Sequence, residues 1–202
     1  LVTDRDLSLG RSLDQVVEEA IKGGTTVVQL REKNMDTRDF IEEARRIKKI
    51  TAAHSVPLLI NDRVDVALAV EADGVHLGQN DMPHELARKI LGEQAIIGWS
   101  VETIEQAEEA NAFDVDYIAA SPVFRTPTKE ELQEELGLEG VRKITELSRH
   151  PVVGIGSIKA HNAAGIIKAG ADGVAVVSGI CSAEDPQQAS RELIQIVRHA
   201  KS

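Results

Sequence analysis

Eight times along this chain a short apolar run ends in polar residues and is followed by an amphipathic stretch. The spacing is about 25 residues, that of a compact strand–helix repeat. The apolar runs fall at 1–3, 26–30, 57–60, 74–77, 95–99, 117–120, 152–155 and 173–177. Between them, helical periodicity covers 12–22, 36–54, 64–70, a stretch opened by Pro83, 103–112, 138–148, 161–169 and 186–200. Ser12 is placed to cap the first helix, and Pro83 stands at a favoured first-turn position. Eight such units without a linker or a shift in composition predict one α/β domain over 1–202, a (β/α)8 TIM barrel. A doubly wound open sheet would leave the count of eight as coincidence. The phrase ADGV opens two of the runs, at 72–75 and 171–174. Its glycine is expected to end the preceding turn and, with its small neighbours, to let a helix approach the sheet.

Composition supports that architecture. The apolar residues are mostly Leu, Ile, Val and Ala, with one Trp, one Tyr and three Phe, which suits a helix-covered parallel sheet rather than an aromatic-rich sandwich. A formal net charge of −10 argues against nucleic acid or an anionic membrane as partner, without forbidding a local basic pocket. The single Cys181 excludes an internal disulfide framework and fits a reducing, cytoplasmic setting. There is no signal-peptide pattern and no apolar run long enough to span a bilayer. The chain opens on an apolar run without an initiator Met, as if a few residues preceded Leu1. Its oligomeric state is open, a homo-oligomer included.

In a barrel the chemistry collects where strands end. After 57–60 come Asn61 and Asp62; after 74–77, a run holding His76, come Gln79 and Asp81. Two carboxylates after consecutive strands suit a hard cation such as Mg2+, which keeps one or two carboxylates and completes its shell with water and phosphate oxygens. For one Asp alone, helix capping or a turn is the simpler reading; the recurrence of polar strand ends favours a site. His76 alone reads as a satisfied, partly buried histidine more readily than as a catalytic base. Strand alternation puts Gln29, Arg31 and Lys33 on one side and Leu30 and Glu32 on the other. The first three offer an amide for a heterocycle edge and two cations for phosphate oxygens, though an exposed charged turn would look the same. Ser100 could donate to an anion or cap the next helix. Thr126, Thr128 and Lys129, around Pro127 in a long loop, form a plausible anion clamp. The loops Gly154-Ile-Gly-Ser157 and Val177-Ser178-Gly179 stand where barrels bind a phosphate through backbone amides. No activated Ser or Cys nucleophile is evident.

The segments LVTDR, QLREK, LLINDRVDVALAV, ADGVHLGQNDMP, TPTK and AGADGVAVVS together resemble the thiamine-phosphate synthase family across essentially the whole chain. The resemblance implies a barrel enzyme that joins 4-amino-2-methylpyrimidin-5-ylmethyl diphosphate to a thiazole phosphate and releases diphosphate. It implies Mg2+ held through Asp62 and Asp81, with diphosphate gripped by Arg31, Lys33, Asn61, Ser100, Thr126, Thr128 and Lys129. Gln29 would lie near the pyrimidine, His76 among the substrate-lining residues, and Ser157, Val177 and Ser178 at the thiazole phosphate.

Three positions depart from the family pattern: Ser157 and Ser121 replace common glycines, and Glu102 replaces a histidine. The sister thiazole tautomerases use a histidine there and generally lack an intact TPTK loop, so the synthase reading is favoured. A tautomerase-type isomerase and a non-catalytic barrel that binds a phosphate ligand are the rivals. A carboxylate on the thiazole partner is not legible in the residues.

Overall fold

The computed structural model describes residues 1–125 and 135–202. Seven of the apolar runs form strands: β1 (Val28–Leu30), β2 (Leu58–Asn61), β3 (Gly74–Leu77), β4 (Ile96–Val101), β5 (Tyr117–Ala120), β6 (Val152–Ile155) and β7 (Gly173–Ala175). All neighbours are parallel and the order in the sheet is the order in the chain. The sheet curls into a TIM-like α/β fold. Residues 1–3, expected as an eighth strand, are too short for a ladder and make a single bridge, Val2 to Gln29. They nevertheless touch both edges of the sheet. The Val2 N–H donates to the Val176 carbonyl at 3.0 Å, and the Thr3 N–H to the Gln29 carbonyl at 2.9 Å.

Helices fill the intervals: α1 (Leu13–Gly23), α2 (Thr37–Ala53), α3 (Val64–Val70), α4 (His84–Leu91), α5 (Ile104–Ala110), α6 (Gly137–Leu147), α7 (Ala160–Lys168), α8 (Ser178–Cys181) and α9 (Pro186–Lys201). Ser12 caps α1, its hydroxyl accepting the Gln15 N–H at 3.2 Å. Gly24, at φ 111°, ends that helix in the left-handed conformation that glycine adopts freely. Pro83 stands at the N-cap of α4. The four-residue α8 was not expected, because it is shorter than any helical period and directly follows β7.

Alternation along each strand divides the buried residues between two faces. Leu30, Leu58, Ile60, Val75, Leu77, Ile97 and Trp99 join Leu13, Phe40, Ile47 and Val66 in one apolar core between sheet and helices. The opposite face carries Gln29, Asn61 and His76, each 8% exposed. A barrel with so polar a lining is built to hold something polar. Among the described residues no helix is long and apolar enough to cross a membrane.

The ADGV repeat has a different role from the one expected. Asp73 Oδ2 accepts the Leu58 N–H at 2.7 Å, and Asp172 Oδ2 accepts the Val152 N–H at 2.8 Å. Asp116, just before β5, does the same for the Ile97 N–H at 2.8 Å. Each Asp thus holds an amide where the preceding strand begins, at the end of the barrel remote from the strand termini. Gly74 is needed for strand contact, since a Cβ there would lie 1.9 Å from the Ile96 carbonyl oxygen. Asp73→Ala, which also removes the Lys48 ion pair at 2.7 Å, is expected to cost about 1–3 kcal/mol. Urea denaturation measures this, and activity per folded molecule should be unchanged.

Candidate active site

Of the polar residues expected at the strand ends, the structure joins Lys33, Asp62 and Asp81 in one group and His76, Gln79 and Ser100 in another. After β2 the chain turns tightly: the Arg63 N–H donates to the Asn61 carbonyl at 2.7 Å, and Asp62 takes φ 61°. Asp is among the few residues that tolerate this left-handed geometry. Asp62 does not cap α3, whose N-cap is Arg63 and lacks a side-chain cap. Its carboxylate accepts from Lys33 Nζ. Asp81 sits in the turn after β3, its Oδ2 accepting the Gly78 N–H at 2.7 Å.

Burial, reinforced by a hydrogen bond that the protonated Asp81 carboxyl can donate to the Asp62 carboxylate, pushes the Asp81 carboxyl above its usual range. Two acids brought this close call for a cation. Lys33 supplies one charge in this arrangement, and the pair is a suitable foothold for a divalent ion. Among the described residues no group of three or more His, Cys, Asp or Glu side chains surrounds a point. Two carboxylates outside a closed protein cage suit Mg2+, which completes its shell with water and phosphate oxygens. Beside them the Asn61 Nδ2 is buried without a hydrogen-bond partner among the described residues, an amide waiting for an acceptor.

Arg31 lies on the same rim, its backbone N–H donating to Thr3 Oγ1 at 3.0 Å and its guanidinium 3.6 Å from Asp4. Glu32 turns the other way, as alternation requires, and pairs with Arg5 at 2.8 Å. Ser100 lies within β4 and does not cap α5; Thr103 does so through its hydroxyl. The Ser100 Oγ is 2.9 Å from His76 Nε2, and Gln79 Nε2 donates to the Ser100 carbonyl at 2.6 Å. The other ring nitrogen of His76 lies 2.9 Å from the Tyr117 hydroxyl. Tyr117 and Asp4 were not anticipated. Tyr117 lies in none of the quoted segments, and Asp4, although within LVTDR, carried no expected role; register and chain closure bring them in.

The β6 and β7 ends meet on the far side. Gly156, at φ 121°, packs so closely on the β5 loop that a Cβ would lie 2.9 Å from the Val123 nitrogen. Gly179 does the same for α8, with a Cβ 3.0 Å from the Ile158 carbonyl oxygen. Ser157 and Ser178 therefore belong to adjoining loops, with Val177 at the N-cap of α8. Ser157 has φ 47°, a conformation that glycine adopts more readily than serine. Its hydroxyl donates to the Arg125 carbonyl at 2.7 Å. Ser157→Gly should be close to neutral in stability, since relief of about 1–2 kcal/mol of backbone strain offsets the lost hydrogen bond; thermal unfolding reads the difference. Ser121, the second departure, forms a cis peptide bond with Pro122, and the Glu102 N–H donates to Gln106 Oε1 at 2.7 Å. Thr126, Thr128 and Lys129 lie outside the described residues.

Comparison with known proteins identifies the family. A family model described as thiamine monophosphate synthase matches residues 1–180. A thiamine-phosphate synthase of Clostridium novyi is 50% identical over 196 residues, covering 97% of this chain and 96% of its own. One of Leptospira biflexa is 53% identical over 194 residues, covering 94% and 92%. Among solved structures, a thiamine phosphate pyrophosphorylase from Pyrococcus furiosus superposes with a TM-score of 0.91 at 42% identity, over 100% of this chain and 95% of that one. With identity at this level over nearly the full length, the chain is an enzyme of the thiamine-phosphate synthase family.

Proposed function

We propose that this barrel joins 4-amino-2-methylpyrimidin-5-ylmethyl diphosphate to a thiazole phosphate, giving thiamine phosphate and diphosphate. The observation that carries this reading is the meeting of Asp62 and Asp81 with Lys33 after β2 and β3, in a chain of this family. The C–O bond from the pyrimidine methylene to diphosphate breaks, and its electron pair leaves on the diphosphate oxygen. The amino-substituted ring delocalises the positive charge left on carbon. The thiazole nitrogen then donates its lone pair to form the new C–N bond. Charge grows on the leaving group, so preorganised donors at that oxygen supply most of the acceleration.

Arg31, Lys33 and Ser100 are assigned to the diphosphate, and the Asn61 amide, without a partner among the described residues, gives a further donor for it. Thr126, Thr128 and Lys129 are assigned to the same group from the family motif. Mg2+ at Asp62 and Asp81 would neutralise phosphate charge as the bond breaks. Gln29, buried on the inner face of β1, offers an amide to the pyrimidine edge. His76 lines that part of the cavity. Ser157, Val177 and Ser178 hold the thiazole phosphate, which orients the attacking nitrogen. No nucleophile and no strong general base are needed. The acidic chain takes small phosphorylated substrates, not nucleic acid or membrane, and its single buried Cys181 fits a cytoplasmic setting.

The test is diphosphate release with both substrates, with and without Mg2+. Thiamine phosphate should form only with metal, and removal of metal by a chelator should reduce turnover to background. Tight binding of thiazole phosphate without coupling would instead identify a barrel that only binds its ligand.

A further inference from the structure

Asn61, His76, Gly98 and Tyr117 occupy one row across β2, β3, β4 and β5, each paired in register with the next. The glycine in the middle is what lets the row function. A Cβ at position 98 would lie 2.2 Å from Tyr117 Cζ, 2.4 Å from its hydroxyl and 2.5 Å from His76 Nδ1. The His76 and Tyr117 side chains therefore meet over the bare backbone of β4, with ring centroids 5.6 Å apart. Ser100, two residues further along the same face of β4, receives the other side of the imidazole.

The hydrogen-bond pattern fixes the direction of the protons. Among the described residues the Tyr117 hydroxyl has His76 Nδ1 as its hydrogen-bond partner. The half-buried Tyr117 lays its hydroxyl over Gly98 of β4, and burial pushes the phenol pKa up, so its proton is firmly held. Were Nδ1 protonated, the O–H would have no acceptor among the described residues, an arrangement that folded proteins avoid. Tyr117 therefore donates to Nδ1. In the neutral ring the proton then sits on Nε2. Nε2–H donates to the Ser100 oxygen, and the single O–H of Ser100 is left to point elsewhere.

We infer that Tyr117 and His76 are positioning residues that fix the imidazole tautomer, so that Ser100 meets the departing diphosphate as a donor. Gly98 makes the contact sterically possible. The inference rests on the role given to Ser100 above. With the opposite tautomer, Nε2 would accept the Ser100 O–H, and the Ser100 oxygen would present only lone pairs to an anion.

The test is a double-mutant cycle on kcat with Tyr117→Phe and Ser100→Ala. Tyr117→Phe keeps the ring and removes the proton that sets the tautomer. It should lower kcat by about 10- to 100-fold, short of what removing a donor outright costs, with KM for thiazole phosphate unchanged. In the Ser100→Ala background it should have no further effect. Nitrogen-15 NMR of histidine-labelled protein gives a readout that loss of packing alone would not move. His76 should carry its proton on Nε2 in the parent and shift toward Nδ1 in Tyr117→Phe. Equal losses from Tyr117→Phe in both backgrounds, or an Nδ1–H tautomer in the parent, would overturn the inference while leaving Ser100 its role. Near-normal turnover in Ser100→Ala would remove the role of Ser100, and the inference with it.

Discussion

Asp62→Asn is expected to lower turnover about a thousandfold or more with the barrel still folded, because it removes a charge proposed to hold the metal in a site proposed to act by electrostatic stabilisation. Asparagine is the informative replacement. Position 62 sits at φ 61°, where Asn is tolerated but Ala would add strain. The variant keeps the size of the side chain and its capacity to accept from Lys33. What it loses is charge, so the effect reports on chemistry and not on folding. Raising Mg2+ should recover only part of the loss, since Asp81 remains. Circular dichroism and thermal unfolding check the fold, and steady-state diphosphate release checks turnover. Activity within a few-fold of the parent would mean that the carboxylate pair is not where the metal acts.

Gly98→Ala is expected to damage stability and catalysis together. The added methyl would fall within 2.5 Å of three side-chain atoms of Tyr117 and His76, far inside van der Waals contact. Those side chains must move, and overpacking of this kind costs about 1–3 kcal/mol. Their displacement also breaks the contact that leads from Tyr117 through His76 to Ser100. Turnover per folded molecule should therefore fall at least as far as in Tyr117→Phe. Urea denaturation separates the stability loss from the kinetic one. Full activity with unchanged stability would show that the row has slack which the close contacts deny.

The sequence carried a great deal about the elements and less about their neighbours. Helix α3 and strands β3, β5 and β6 lie at 64–70, 74–77, 117–120 and 152–155, as periodicity predicts. Each is bounded by turn chemistry within its own few residues. The Ser12 cap was legible for the same reason. Residues 1–3 were overread as a strand because an apolar run says nothing of how many partners its backbone will find. The dual reading of Ser100 could not be resolved locally either. It took the position of Thr103 over α5 to free Ser100 from capping, and that of His76 to give it a partner.

The residue types of the site were visible because polar groups at the ends of buried strands stand out against aliphatic neighbours. Sequence alone thus determined the repeat, the fold class and a set of strand-end residues including Asp62, Asp81, Arg31, Lys33 and Ser100. Tertiary structure alone decided that Asn61, His76, Gly98 and Tyr117 share a row, that Asp4 faces Arg31, and that Ser157 reaches the Arg125 carbonyl. The physical reason is that amphipathic periodicity is a property of one segment, whereas register belongs to the sheet. Strand register follows from pairing and burial summed over all neighbours, and a shift of one residue would send every inward side chain to the opposite face.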